Sequence, residues 1–590
     1  MRLVLAAIAA ALFAFAAAAQ TGAPAARSAM APAMTEAETA PIIARLQTLH
    51  LARPPGTLSP GEEAAVRELL AAGEIMHALY LDQRHPQARA AAAYLAAPQA
   101  RSDLRTLFAA MGGPIATTLE NERAPMLTVV PETPGKNVYP QDATRAAFDA
   151  FFAAHPGRRD EILATRALVR EATHANIAQA LAALDRHPAL DTLHPGLRAR
   201  LHSSERYIAV PYSVAYADEI MAVYGHLNAA AAHVEAGDPA FARYLRLRGR
   251  DLLTDDYEGG DAAWVTGRFT GALNAQIGAY ETYDDALFGV KAFFSLSLLQ
   301  RDEAATRELA RAVAGIQDIE NALPYDAHKE VRSNIPVAVY NVIADFGQAR
   351  GTNTATILPN EAYLARQYGR TILMRGNILR SPELFANTER EFNAAVAPAH
   401  HGDLTLDGGF YRTLWHEIGH YLGVDQTADG RDLDVALEDA ADLLEEMKAD
   451  LVSLFAARML RARGLFTDAQ LRSIYASGVR RVLQKNRPRR AQPYQTMQLI
   501  QWNWFMDRGL LRFENGVLAI DYARYPDAVQ SLLREVLALQ RAGDRAAANA
   551  FIDRWTVWDD SLHGAIGRRM RAVEQARFTL VAYEALEGAR

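Results

Sequence analysis

His416 and His420 stand four residues apart in Trp415-His416-Glu417-Ile418-Gly419-His420. On a helix this spacing puts both imidazoles on one face, about 5–6 Å apart at Cβ. Two neutral imidazoles so placed grip one Zn²⁺ at about 2.0–2.1 Å each. Glu417 follows the first histidine and projects beside the metal rather than into its coordination sphere, where it can take a proton from an attacking water. A catalytic zinc also needs a third protein ligand and one open position. Glu446, in Glu445-Glu446-Met447-Lys448-Ala449-Asp450, is the candidate ligand. Asp450 lies one turn further along the same face, placed to accept the free N–H of a liganded imidazole. Glu445 is a further acidic neighbour, and Lys448 is expected to point away, because a cation beside zinc weakens its binding.

Each string alone has a plainer reading. His-Glu-x-x-His fits the exposed face of an ordinary helix, and Glu-Glu-x-Lys-Ala-Asp reads as a solvated charged face. Together, on two helices of one segment, they favour one zinc ion per chain. His400-His401 is a competing pair, but it sits in a Gly-rich loop with poorer geometry than the helical pair.

The elements that must position these groups are mostly helical. Leu437, Ala440, Ala441, Leu444, Leu451, Leu454 and Phe455 recur at helical spacing over 434–460. Ser59-Pro60-Gly61-Glu62 is a capping-box pattern opening the first long helix. Further helices are expected at 87–96, 102–111, 142–154, 160–184, 214–236, 239–253, 302–317 and 468–507. Two more, 526–542 and 545–590 with a break near Asp559-Asp560, close the chain. Extended structure is expected at 125–130, at 207–216, in the first half of 268–294 (the second half reading as helix), and in a turn-rich run from Ser333 to Asn360. Asn515-Gly516 marks a hairpin. Tyr280, Glu281, Tyr283, Asp284 and Asp285 crowd the junction within 268–294, which composition alone reads as a turn with solvated acids. The fold class is mostly α with a minor β component (α+β).

Composition bounds the rest. A chain of 590 residues requires two or more lobes, each with its own core. With 50% hydrophobic and 22% charged residues it is in the globular range. It has no cysteine, which excludes disulfides, thiol nucleophiles and Cys-type zinc sites. The net charge is −7 with no basic tract, arguing against nucleic acid. Met1-Arg2, an Ala-rich apolar run to residue 19, and Ala17-Ala18-Ala19 before Gln20 read as a cleaved export signal. The run is weakly hydrophobic for a membrane anchor, the alternative. The expected product is exported and periplasmic, without stable membrane insertion after signal removal. Residues 20–45, rich in Ala, Pro, Thr and Ser as far as Glu36, read as a flexible leader.

With these motifs in place, the chain resembles the dipeptidyl peptidase III family of zinc exopeptidases, from about Leu58 to Gly516. The resemblance centres on HEIGH paired with EEMKAD. Most members have one more residue between the glutamate and the second histidine, and the five-residue form resembles a bacterial subgroup. The resemblance implies His416, His420 and Glu446 as zinc ligands, Glu417 as general base, and Glu445 and Asp450 as their outer partners. Gly278-Ala279-Tyr280-Glu281-Thr282-Tyr283-Asp284-Asp285 is similar to a family stretch that would make Glu281 a site for the peptide α-ammonium and Tyr283 a donor to the developing oxyanion. Asn334, in Asn-Ile-Pro, would be a second contact to the peptide N-terminus. Two departures stand out. Val337 follows Ile-Pro where the family often has Asn. The stretch beginning Pro493-Tyr494 lacks the family's histidine, leaving Tyr494 as a substrate hydrogen-bond donor.

The fold implied by the resemblance is two lobes around a cleft, one helical and zinc-bearing, the other mixed with a small β-barrel-like sheet. Residues 46–295 would form mainly the substrate-binding lobe, 296–385 cross between lobes, 386–510 form the catalytic lobe, and 511–590 close the lobes. The implied function is release of dipeptides from the N-terminus of short peptides. The alternatives are an aminopeptidase or oligopeptidase of the same fold, or an exported peptide-binding protein with weak or no catalysis. Oligomeric state is open.

Overall fold

Ser59 accepts a hydrogen bond from Glu62 N–H at 3.3 Å and the Glu62 carboxylate takes Ser59 N–H at 2.8 Å, which starts the helix Pro60–Arg84. The other Glu62 oxygen accepts from Ala272 N–H at 2.7 Å, so the same cap fixes the entry to the strand Leu273–Ala279. This helix buries Leu69, Met76 and Leu79 completely. It lies directly on the sheet at Gly73, where a Cβ would stand 2.3 Å from the Phe346 ring.

The computed structural model describes residues 30–587, apart from 121, 203–205, 314, 332–336, 359–366, 370, 438–439 and 491–492. The expected signal segment and Asn334 therefore lie outside the described residues. Among the described residues helix outweighs strand, 56% to 14%, in an α+β fold of two lobes. The main sheet has five strands in the order Leu273–Ala279, Phe294–Arg301, Val337–Gly347, Thr371–Arg375, Ala355–Leu358. The first three run antiparallel, and Thr371–Arg375 joins Val337–Gly347 in parallel.

The sheet is shared by two hydrophobic cores because side chains alternate across a strand. Tyr340, Val342 and Leu373 join the core built on Pro60–Arg84, Ala217–Val234 and Pro239–Thr254. Val339, Ile372 and Met374 face the other way, into a core of helices Leu406–Gly419, Ala441–Ala462, Asp468–Val482 and Tyr525–Ala542. Inside the sheet, Arg375 donates to Asp345 at 2.8 Å and to Ser297 at 2.7 Å, pairing a charge that burial would otherwise penalise.

Several expected elements differ. The apolar run 125–130 is mostly irregular; the strand is Arg123–Pro125, paired with Ile115–Thr117. The helix expected over 160–184 is interrupted by the strand Ala167–Glu171, antiparallel to Tyr207–Pro211. The helix expected at 302–317 is two, Glu303–Val313 and Ile316–Glu320, parted at Gly315 with φ +81°. The span 468–507 is likewise two helices, Asp468–Val482 and Pro493–Asp507. The leader expected to residue 45 gives way to structure earlier: Thr35 caps the helix Glu36–Ile43, and Met34 and Ile42 are buried. The chain end is not helical throughout. Phe578–Tyr583 is a strand, parallel to Leu46–Leu51, rich in aromatic and β-branched residues and buried from Leu580 to Tyr583. The Asn515-Gly516 hairpin forms as expected, with φ +52° and +78° at the turn.

Candidate metal centre and active site

The histidines and acids come from two helices held backbone to backbone. The helix Leu406–Gly419 carries His416 and Glu417 in its last turn, with His420 as its C-cap. Thr405 caps its start, accepting from Gly408 N–H at 3.2 Å and meeting Ser473 Oγ at 2.6 Å. At the other end Gly419 makes the close approach possible. A Cβ there would stand 2.9 Å from both Cα and the carbonyl oxygen of Ala449 in the helix Ala441–Ala462. The histidines are thereby pressed against Glu445, Glu446 and Asp450.

Among the described residues, ligand atoms of His416, His420 and Glu446 all lie within 4.8 Å of one another. The two imidazole rings are 5.0 Å apart, centroid to centroid, and nearly perpendicular at 87°. Glu446 Oε2 is 3.3 Å from His416 Nε2 and 3.9 Å from His420 Nε2. It is buried and has no hydrogen-bond partner among the described residues. A buried carboxylate oxygen left in this way is costly unless a cation meets it. Two imidazole nitrogens and one carboxylate oxygen are the donor set of a catalytic zinc, so the residues fit that ion.

The far sides of these candidate ligands are also held. His416 Nδ1 lies 2.7 Å from Asp450 Oδ1, and His420 Nδ1 lies 3.0 Å from Glu445 Oε1. Both contacts leave the Nε2 atoms facing Glu446. Burial works against the charge of Asp450, but Arg481, His416 and Arg412 outweigh it and hold the carboxyl well below its ordinary range. Glu445 is likewise drawn down to about 2, against burial, by Lys448 and His420. Against burial, which favours a neutral ring, Asp450 and Glu446 raise His416 to about 9. Lys448 ends on Glu445 at 2.8 Å, bracing the acid that braces His420.

Arg412 and Arg481 were not singled out by the sequence. They donate to Asp450 at 3.1 and 3.2 Å. Arg412 had a usable signal, since it lies one turn before His416 on the same helix face. Arg481 arrives from the separate helix Asp468–Val482 and had none. Gln540, which donates to Glu445 at 3.1 Å, had none either.

The Tyr280–Asp285 junction is a loop rather than a strand-to-helix passage. Asp285 accepts four backbone N–H groups, from Leu287, Phe288, Val290 and Lys291, at 2.9–3.0 Å, so the following residues wrap around one carboxylate instead of coiling. Asp284 accepts from Tyr80 and Gln348, each at 3.0 Å. These two acids are therefore structural. Tyr283 projects outward, 83% exposed. The surrounding protein, its hydrogen bond to Glu281 and the charge of Glu446 together push its phenol up to about 12. Tyr283 thus lies within reach of the charge of Glu446 and is hydrogen-bonded to Glu281.

Tyr494 meets the cluster itself: its hydroxyl donates to Glu446 Oε1 at 2.8 Å. His400 and His401 do not compete for the metal. His400 accepts from Ile520 N–H at 3.0 Å, and His401 contacts the Asn393 carbonyl at 3.0 Å.

The fold is that of dipeptidyl peptidase III structures. It is similar to dipeptidyl peptidase III from Caldithrix abyssi, with a TM-score of 0.78 and 22% identity over 92% of this chain and 99% of that one. It is also similar to dipeptidyl-peptidase III from Corallococcus sp. strain EGB, with a TM-score of 0.72 and 23% identity over 93% and 98%. Among curated proteins, Nudix hydrolase 3 of Arabidopsis thaliana is 25% identical over 436 residues, 72% of this chain. The chain spans about half the length of that relative, 54%. No protein family model matches the chain. Among the described residues no helix is long and apolar enough to cross a membrane.

Proposed function

We propose that this chain is a zinc-dependent exopeptidase that releases dipeptides from the free N-terminus of short peptides, and that it acts after export, in a periplasm, once its apolar leader is removed. The observation that carries the reading is the convergence of His416 Nε2, His420 Nε2 and the unpartnered Glu446 Oε2 at one point. The likeness in fold to dipeptidyl peptidase III structures supports that reaction class.

One zinc ion held by His416, His420 and Glu446 would supply a Lewis acid and a water made acidic enough to lose its proton near neutral pH. Glu417, half-buried one residue after His416, takes that proton and returns it to the leaving amine. Tyr283 donates its hydroxyl proton in a hydrogen bond to the scissile carbonyl oxygen as negative charge develops there. Glu281 pairs with the peptide α-ammonium, and Asn334 adds a second contact to the same end. The distance from that contact to Tyr283 sets the length of the product.

The test is mass spectrometry of products from free and N-acetylated tetra- to octapeptides, with zinc measured on the same sample. Dipeptides released stepwise from free termini, only with metal present, are expected. Cleavage that survives acetylation would replace the exopeptidase by an oligopeptidase, and single-residue release by an aminopeptidase. Intact peptides bound to zinc-loaded protein would overturn the enzyme reading in favour of a peptide-binding protein. One observation favours that second reading: the stretch 493–501 holds no histidine, and its Tyr494 is engaged with Glu446.

A further inference from the structure

We infer that Tyr494 is a positioning residue for Glu446: it holds one carboxylate oxygen so that the other faces the two imidazoles. The inference rests on the zinc reading above and concerns what this chain's own side chains do around that site.

A carboxylate has two oxygens and several ways to present them. With two histidines and an open position to keep, the glutamate must offer its oxygens in a controlled way. Tyr494 Oη donates to Glu446 Oε1 at 2.8 Å, so one oxygen is committed. The other, Oε2, is the buried atom aimed at His416 and His420. Each of the three candidate ligands then has one outer partner: Asp450 for His416, Glu445 for His420 and Tyr494 for Glu446. The first two partners lie on the same helix as Glu446, and the third comes from the first turn of Pro493–Asp507.

Tyr494 is itself steadied from behind. The Arg481 guanidinium carbon lies 5.9 Å from the centre of the Tyr494 ring, and Arg481 Nε donates to Asp450 Oδ2 at 3.2 Å. One arginine therefore touches both the acid that orients His416 and the ring that orients Glu446. The hydroxyl cannot serve Glu446 and a substrate oxygen with the same proton. Its position favours the ligand over the substrate contact expected from sequence.

The experiment uses the full chain, stripped of metal, as wild type, Tyr494→Phe and Glu446→Ala. Zinc affinity is measured by competition with a chromophoric chelator, and thermal unfolding is followed without metal. Loss of an outer partner weakens metal binding by about 10–100-fold. Tyr494→Phe should weaken zinc binding by that order while leaving the metal-free unfolding temperature near wild type, because the ring is half exposed. Unchanged or tighter zinc binding in Tyr494→Phe, with Glu446→Ala losing zinc, overturns the inference and leaves the metal site standing. Wild-type zinc binding in Glu446→Ala overturns the site itself. With zinc saturating, a Tyr494→Phe defect confined to kcat or KM would return the tyrosine to a substrate role and also overturn the inference.

Discussion

In the proposed mechanism Glu417 would move a proton and Tyr283 would only donate a hydrogen bond, so the two should fail differently when removed. Glu417→Gln keeps the size and polarity of the side chain but cannot accept a proton. Turnover should fall by about 10²–10⁴-fold, the usual worth of a positioned base. Zinc content by elemental analysis should stay at one per chain, since Glu417 is not among the three converging ligands. Tyr283→Phe should lower kcat by about 10²–10³-fold, the cost of one oxyanion donor. Steady-state kinetics would show this, and an unchanged kcat would remove Tyr283 from the mechanism. Because Tyr283 is 83% exposed, the substitution should shift stability by no more than about 0.5 kcal/mol. A kinetic defect in Tyr283→Phe would therefore not be secondary to unfolding.

At the scale of elements, the site depends on two helices lying closer than side chains normally allow. Gly419→Ala would push a methyl carbon against the Ala449 backbone, which unlike a flexible side-chain tip cannot yield. We expect a loss of about 1–3 kcal/mol in denaturant unfolding. Zinc binding should weaken as well, since the histidines ride on one helix and Glu446 on the other. The acids of the second helix also make the metal-free protein sensitive to pH. Glu445 has a folded value of about 2, below its ordinary 4.5, so its stabilisation is present above pH 4.5 and is lost as pH falls through about 2. His416 is raised to about 9, so its contribution is complete below its ordinary 6.5 and disappears as pH rises through about 9. Unfolding free energy of the metal-free chain, measured against pH, should decline on both sides of this window. Glu445→Gln should flatten the acid limb.

Across the whole molecule, what the sequence discloses depends on how local its cause is. His416, His420 and Glu446 are legible because their spacing is set by helical periodicity within one segment. The capping box at Ser59 and the turn at Asn515-Gly516 are legible for the same reason. Arg481 and the committed state of Tyr494 are not, because tertiary packing brings them from other helices. The polar junction after Tyr280 is the turn its composition suggests, but the helix expected to follow it does not form, because Asp285 gathers four backbone N–H groups into that turn. The chain end was misread because a six-residue strand has no local mark of a partner more than five hundred residues away.

That distant pairing leads to a prediction for the fold as a unit. Phe578–Tyr583 lies parallel to Leu46–Leu51, and Val581 and Tyr583 are part of the core on the side of the sheet opposite the histidines. Tyr583 also reaches the buried Asp345 of the central strand at 3.4 Å. The last strand thus closes a core begun near the N-terminus. Ending the chain at Arg577 would expose Leu49 and Leu51 and remove side chains whose burial is worth about 1.5–3 kcal/mol each. The candidate metal centre packs in the other core and should still bind zinc as the full chain does. Calorimetry should therefore show an unfolding transition lowered by about 2–4 °C for each kcal/mol lost. Chelator competition should report an unchanged zinc affinity. Equal loss of both would mean that the two cores unfold as one cooperative body, with the shared sheet transmitting the damage.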